Sequence, residues 1–433
     1  MSPDIDLYYS VKLRRNLSEA TTLPPGAAHY SYSLVAQKFL DMFHGAGLVP
    51  VELERPEIYV TPPHGIRKRA VHIMFKPFQE LRLLKKAHNI AHVAWEFEDL
   101  PRLDSWAIGD ERRRDPFADY IHMLSLPDRV WVGCQFSKSV FSKFGISNVD
   151  VVPAPIETPT LGRSTLEDYR RSKARIAISK LKTVKAVRLS SNLLGNPDSA
   201  VYDEHVVSAT TLVGADRNVF LLVANPGDLR KNLPALIDGF SLAAQADPTL
   251  VLLIKLTIDN KHVTLPGVLK HQLPRLYANE ELALGDVTPT NIFLINDYLD
   301  SDRLQALYWS ADFYLSAAIA EGQNLPLQEA MAIGTIPVVA NHTAMADYVT
   351  ADNAVLIDWQ PRRATSAFEH AYGLRDFSVP HIDAHAVTRA VKDAARLSVT
   401  ERTQKREHSA KVIRDCYAND VIATRVSEVL TSA

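Results

Sequence analysis

The chain has little cysteine, almost no net charge and no long apolar run. Its two cysteines, Cys134 and Cys416, stand far apart among 433 residues. That excludes a disulfide framework or a cysteine metal cluster and suits a reducing compartment. A formal net charge of −2 sets up no field that would draw the molecule to nucleic acid or to a membrane. No apolar run reaches the roughly 18 residues of a membrane-spanning helix, and no basic-then-apolar leader pattern opens the chain. The expectation is a cytoplasmic protein. What is present is ordinary for a globular chain, with 46% hydrophobic and 23% charged residues. The length predicts two domains of roughly 200 residues each.

Short apolar runs alternate with amphipathic stretches along both halves. Residues 5–11 (IDLYYSV) read as a first strand, followed by a loop with Pro24, Pro25 and Gly26 and a helix over 31–46. Residues 51–53, 57–60, 70–75, 88–94, 130–132 and 149–152 are further strand candidates. The second half repeats the pattern, with strands over 219–224, 250–256, 291–296, 313–316, 336–340 and 354–357, and helices over 233–246 and 301–309. Such alternation predicts parallel sheets flanked by helices, two Rossmann-like units in one chain. The expected division is 1–159 for the first unit, 160–215 for a basic linker or insertion, 216–400 for the second unit and 401–433 for a closing helical segment.

The linker is conspicuous for its charge. Between 163 and 188 stand nine basic residues, Arg163, Arg170, Arg171, Lys173, Arg175, Lys180, Lys182, Lys185 and Arg188, against Glu167 and Asp168. A solvated face explains such a run. Its rival is a peripheral contact with an anionic membrane at the inner face, or with an anionic acceptor. Residues 190–204 look like loop.

Two stretches carry candidate chemistry. Open α/β sheets bind ligands at the carboxyl ends of their strands. A strand ending near Val93 therefore brings HVAWEFEDLP to the rim, with His92, Trp95, Glu96 and Glu98 as cleft candidates beside a buried-tryptophan reading. His29 is a further candidate, against an exposed loop histidine. The second stretch, EGQNLPLQEAMAIGTIPVVA over 321–340, holds a loop, a helix start, a helix, a stop at Gly334 and a strand. Capping alone explains Glu329 near a helix start. The functional reading pairs free helix N–H groups, which hold phosphate, with carboxylates that accept from hydroxyls. Phosphate and diols together describe a nucleotide sugar.

The stretch resembles the E-x7-E signature of retaining glycosyltransferases with the GT-B fold, the group 1 or family 4-like enzymes. It matches at Glu321, Gly322, Leu325, Pro326, Glu329, Ala330, Met331, Ala332, Gly334, Pro337, Val338 and Val339, and departs at Gln323 and Asn324, where Phe-Gly is usual. The resemblance implies two Rossmann-like domains facing across a cleft, with a C-terminal helix crossing back to the first. It implies a UDP- or GDP-sugar donor, no cofactor, and a glycan, lipid-linked or other hydroxyl acceptor, as in polysaccharide biosynthesis. Glu329 would bind ribose hydroxyls, and Glu321 a sugar hydroxyl or the positive charge developing at C1. Gln323, Asn324 and Leu325 would meet sugar and phosphate, and residues 297–299 around Tyr298 the base. Lys231 takes the lysine position of the family's G-R-x-x-x-x-K-G loop, while Asn225 or Pro226 stands where the arginine belongs. Arg230 or Lys255 would substitute, and Gly26 is what remains of the usual glycines in the first loop. No metal is expected; Asp4-Ile5-Asp6 and Asp300-Ser301-Asp302 are too short as D-x-D patterns to carry one. Rival readings are a degenerate nucleotide-sugar-binding protein and an epimerase or phosphorylase on the same scaffold.

Overall fold

A computed structural model describes residues 5–12, 31–65, 68–106, 108–162, 164–191, 193, 205–214, 216–257, 265–273, 276 and 287–432. Asp4, Gly26, His29 and Arg163, and most of the loop over 190–204, lie outside the described residues.

Two sheets organise the molecule. The first is wholly parallel, in the order β2-β1-β3-β4-β5-β6. Its strands are β1 (Ile5–Val11), β2 (Val51–Glu52), β3 (Arg69–Phe75), β4 (His88–Val93), β5 (Arg129–Val132) and β6 (Val149–Val151). The helix Ser31–Gly45 covers one face, with Phe39 against Phe75, Trp131 and His92. The second sheet runs β14-β13-β12-β9-β10-β11-β7-β8. Here β7 is Lys185–Arg188, β8 Val206–Ser208, β9 Asn218–Ala224, β10 Leu250–Leu256, β11 Ile292–Ile295, β12 Phe313–Ser316, β13 Ile336–Val339 and β14 Val355–Leu356. Strand β10, LVLLIKL, is buried along its whole length, as a parallel strand covered on both faces must be.

Residues 160–215, expected as linker and insertion, supply structure to the second sheet. The helix Leu166–Lys180 lies against the helix Ser301–Ser310, and β7 pairs antiparallel with β11 and then with β8. Arg170 is a correction to the basic-face reading. It is buried, and its guanidinium donates to the carbonyls of Ile333 at 2.7 Å and Ala311 at 2.9 Å. Desolvation holds it down to about 10. Residues 57–60, expected as a strand, begin instead with the 3-10 turn Pro56–Ile58. Pro56 in its first turn presets a turn and donates nothing to a ladder.

The segment after β14 was featureless in sequence and forms a strap. Strands β15 (Gln360–Arg363) and β16 (Ser378–His381) pair antiparallel around the helix Ser366–Tyr372. The strap packs on the first unit. Phe97 meets Tyr372 and Phe377 at ring distances of 4.5 and 5.5 Å. Ser105 Oγ donates to the Gly373 carbonyl at 2.6 Å, and Arg375 donates to the carbonyls of Ser105 and Trp106, both at 2.9 Å. Gly373 has φ +66°, and a Cβ there would stand 2.1 Å from the Trp106 ring.

The closing helix crosses back, broken in two at Ala418. The helices Val399–Tyr417 and Asn419–Ser432 meet at this extended residue, which bridges to Ile156 beyond β6. Arg69 Nη1 then donates to the Leu430 carbonyl at 2.8 Å. Among the described residues no helix is long and apolar enough to cross a membrane.

Candidate active site

The carboxyl ends of the two sheets meet around residues 321–324, where β12 hands over to the helix Leu325–Ala332. Asn324 sits at the helix N-cap with φ +62° and makes no side-chain cap. That left-handed conformation favours glycine and tolerates asparagine best among the rest. Asparagine therefore keeps the backbone of the resembled motif where its glycine is missing. Gln323 has a different role. Its amide pairs reciprocally with the backbone of Ala154, accepting from the N–H and donating to the carbonyl, both at 2.9 Å. The loop thus touches the first unit directly. A Cβ on Gly322 would lie 3.4 Å from Ala94 and 3.5 Å from Glu96 Oε1, and one on Gly133 would lie 2.9 Å from the Gly322 carbonyl.

Charges converge on this contact. Lys231 Nζ stands 2.6 Å from Glu321 Oε1, both side chains largely buried. Lys231 and Arg230 come from the 3-10 turn Leu229–Lys231, which ends at Asn232 with φ +48° and starts the helix Leu233–Ala246. Thr343, with φ +46°, accepts from the Glu321 N–H at 3.1 Å. Three left-handed residues other than glycine therefore surround one ion pair. Asparagine tolerates this region, whereas the β-branched Thr343 costs on the order of 1–3 kcal/mol there and needs its surroundings to hold it.

Arg230 is held between the units. Its guanidinium reaches Glu96 at 2.5 Å and Asp228 at 2.8 Å, and Tyr372 of the strap donates to Asp228 at 3.2 Å. Burial raises the Glu96 carboxyl, with Arg230 opposing it. Burial works to raise Asp228 too, but Arg230 and Lys231 beside it hold that carboxyl well below the usual carboxylate range. Glu329 is also occupied on both oxygens. Lys38, from the helix Ser31–Gly45, reaches Oε1 at 2.7 Å, and the Tyr308 hydroxyl donates to Oε2 at 3.2 Å.

The structure thus gathers Glu321, Lys231, Arg230, Glu96, Gln323 and Asn324 at one contact, with Leu325 buried behind them. It does not gather the rest. His92, expected at the cleft, is 4% exposed and packed among Phe39 and Phe75, with Nε2 3.2 Å from the Val152 carbonyl. Burial pushes it down to about 4. Trp95 is likewise core, and Glu98 faces solvent. Lys255 is buried, bonded to the carbonyl of Leu256 and lowered by desolvation to about 8. Tyr298 is exposed, beside Asp297, whose carboxylate accepts from the Lys185 N–H at 3.1 Å. Sequence reasoning missed Lys38, Tyr308, Asp228 and Thr343. Among the described residues, no group of three or more His, Cys, Asp or Glu side chains is placed to hold a metal ion.

No family model matches the chain, and no curated protein matches it. Solved structures do. One described as trehalose-6-phosphate from E. coli bound with UDP-2-fluoro glucose aligns over 98% of this chain and 99% of that one, with a TM-score of 0.54 and 12% identity. The chain has the GT-B fold. An α,α-trehalose-phosphate synthase (UDP-forming) from Burkholderia vietnamiensis aligns over 92% of this chain and 76% of that one, with a TM-score of 0.50 and 16% identity. A mutant of S. aureus TarM in complex with Fondaparinux, alpha-GlcNAc-glycerol and UDP covers 83% of this chain at 11% identity and a TM-score of 0.47. This chain spans 55% of the length of that one.

Proposed function

We propose that the protein is a retaining, metal-independent glycosyltransferase that moves a sugar from a UDP- or GDP-sugar to a hydroxyl acceptor, a glycan or lipid-linked sugar. The observation that carries this reading is the Lys231–Glu321 pair, 2.6 Å apart where the two sheets of a GT-B fold face each other. In this reading residues 216–400 hold the donor and residues 1–159 the acceptor. Lys231 and the N–H groups opening the helix Leu325–Ala332 take the charge of the departing diphosphate. Glu321 holds a sugar hydroxyl or the charge developing at C1, and Glu329 the ribose. The acceptor attacks from the face the diphosphate leaves, and its proton passes to the leaving phosphate oxygen.

A panel of UDP- and GDP-sugars should raise the melting temperature, since a ligand of the folded state stabilises it. Mass spectrometry should then detect free nucleotide with a hydroxyl acceptor present. Lys231→Ala should lower turnover about 100- to 1,000-fold, the scale of losing one transition-state charge partner. Glu329→Ala should weaken nucleotide binding about tenfold. No melting shift across the panel would overturn the reading. One observation favours a second reading, nucleotide-sugar binding without turnover. Arg230 is held by two carboxylates, which leaves Lys231 with little help at the phosphate. Melting shifts without nucleotide release would select it.

A further inference from the structure

We propose that Lys38 is a diphosphate-binding residue that the first unit contributes to the donor site, supplying the positive charge the second unit lacks. The inference rests on the donor-binding reading above. Its starting point is a shortage of cations. In the loop 225–232, Arg230 is fixed between two carboxylates, Asp228 and Glu96 at 2.8 and 2.5 Å, while Lys231 is paired with Glu321 alone, which leaves it the better placed to turn toward a phosphate. Glu321, Glu96, Asp228 and Glu329 are four acids against the three cations Arg230, Lys231 and Lys38. A nucleoside diphosphate adds further negative charge, and helix N–H groups offset it only in part.

Lys38 is placed to respond. It projects from the helix Ser31–Gly45 of the first unit, and its ammonium lies 2.7 Å from Glu329 Oε1. The two side chains are 17% and 26% exposed, so the pair borders open solvent. The second oxygen of Glu329 already accepts from Tyr308. A ribose diol that docks on Glu329 competes with the ammonium for Oε1, where the pair borders solvent. The freed Lys38 head stays tethered beside the ribose on a flexible four-carbon stem. The diphosphate is joined to that same ribose through C5′. One internal ion pair is exchanged for two contacts with the ligand, hydroxyl to carboxylate and ammonium to phosphate. Because Lys38 and Glu329 come from different units, the exchange also ties the diphosphate to the first unit.

Calorimetric titration of the full chain with uridine, UDP, guanosine and GDP tests this. Lys38→Gln should weaken the diphosphate that binds wild type about tenfold, the scale of one charge-assisted hydrogen bond. The matching nucleoside should bind unchanged or tighter, since its competitor for Glu329 is gone. Lys38→Arg, which keeps the cation, should hold diphosphate affinity within about threefold of wild type. Equal loss for nucleoside and diphosphate would overturn the proposal, leaving Lys38 an organiser of Glu329. So would a Lys38→Gln variant that binds the diphosphate as wild type does; that outcome spares the donor-binding reading. If wild type binds no diphosphate, both fall together.

Discussion

Asn324 and Gln323 are where the resembled motif departs from its usual Phe-Gly, and each departure has a physical reason. Asn324 preserves a left-handed turn, so Asn324→Gly should leave the melting temperature nearly unchanged. Asn324→Val should cost about 1–3 kcal/mol, because a β-branched residue at φ +62° clashes with its own backbone. Urea denaturation of the two variants checks both. The backbone need was legible, since the motif itself calls for glycine there. The Gln323–Ala154 pairing was not, because nothing in a chain marks which distant carbonyl an amide will find. Lys38 stayed hidden for the same reason: a lysine on an amphipathic helix reads as solvent-facing until the opposite unit is in place. His92 misled in the other direction. On a parallel strand covered on both faces, alternation no longer says which side chains reach the rim.

Elements were legible in proportion to their burial. Strands β9, β10 and β12 are mostly apolar runs, and their expected limits nearly coincide with the observed ones. The strap offered no such signal. Its strands read QPRR and SVPH, each carries a proline, and β15 is exposed throughout. Its hold on the first unit depends on one absent side chain. Gly373→Ala drives a methyl into the Trp106 ring at a positive φ, and should destabilise the protein by about 2–4 kcal/mol. Hydrogen exchange should quicken selectively at amides 360–381. Unchanged protection there would mean the strap is held elsewhere. Because Tyr372 of the strap donates to Asp228, loosening it should also remove that hydrogen bond beside Arg230.

At the scale of the molecule, the two-unit α/β architecture followed from repeated strand–helix alternation. The crossing C-terminal segment came from the family resemblance alone. A property invisible in the sequence is acid sensitivity. His72, His92 and His342 are buried, and burial lowers each from 6.5 to about 4. Between those values the unfolded chain binds more protons than the folded one, so stability is full above pH 6.5 and drains as pH falls toward 4. Each ring accounts for about 3 kcal/mol of that loss. The melting temperature should fall steeply across this window, and a flat profile would show that the rings accept protons within the fold. The returning helix Asn419–Ser432 carries a consequence for biosynthesis. It places Ile422, Val426 and Leu430 in the shared core and accepts from Arg69 near the chain's beginning. The first sheet is synthesised before this wall. A nascent chain must therefore wait, that sheet incompletely covered, until residues 419–432 have left the ribosome.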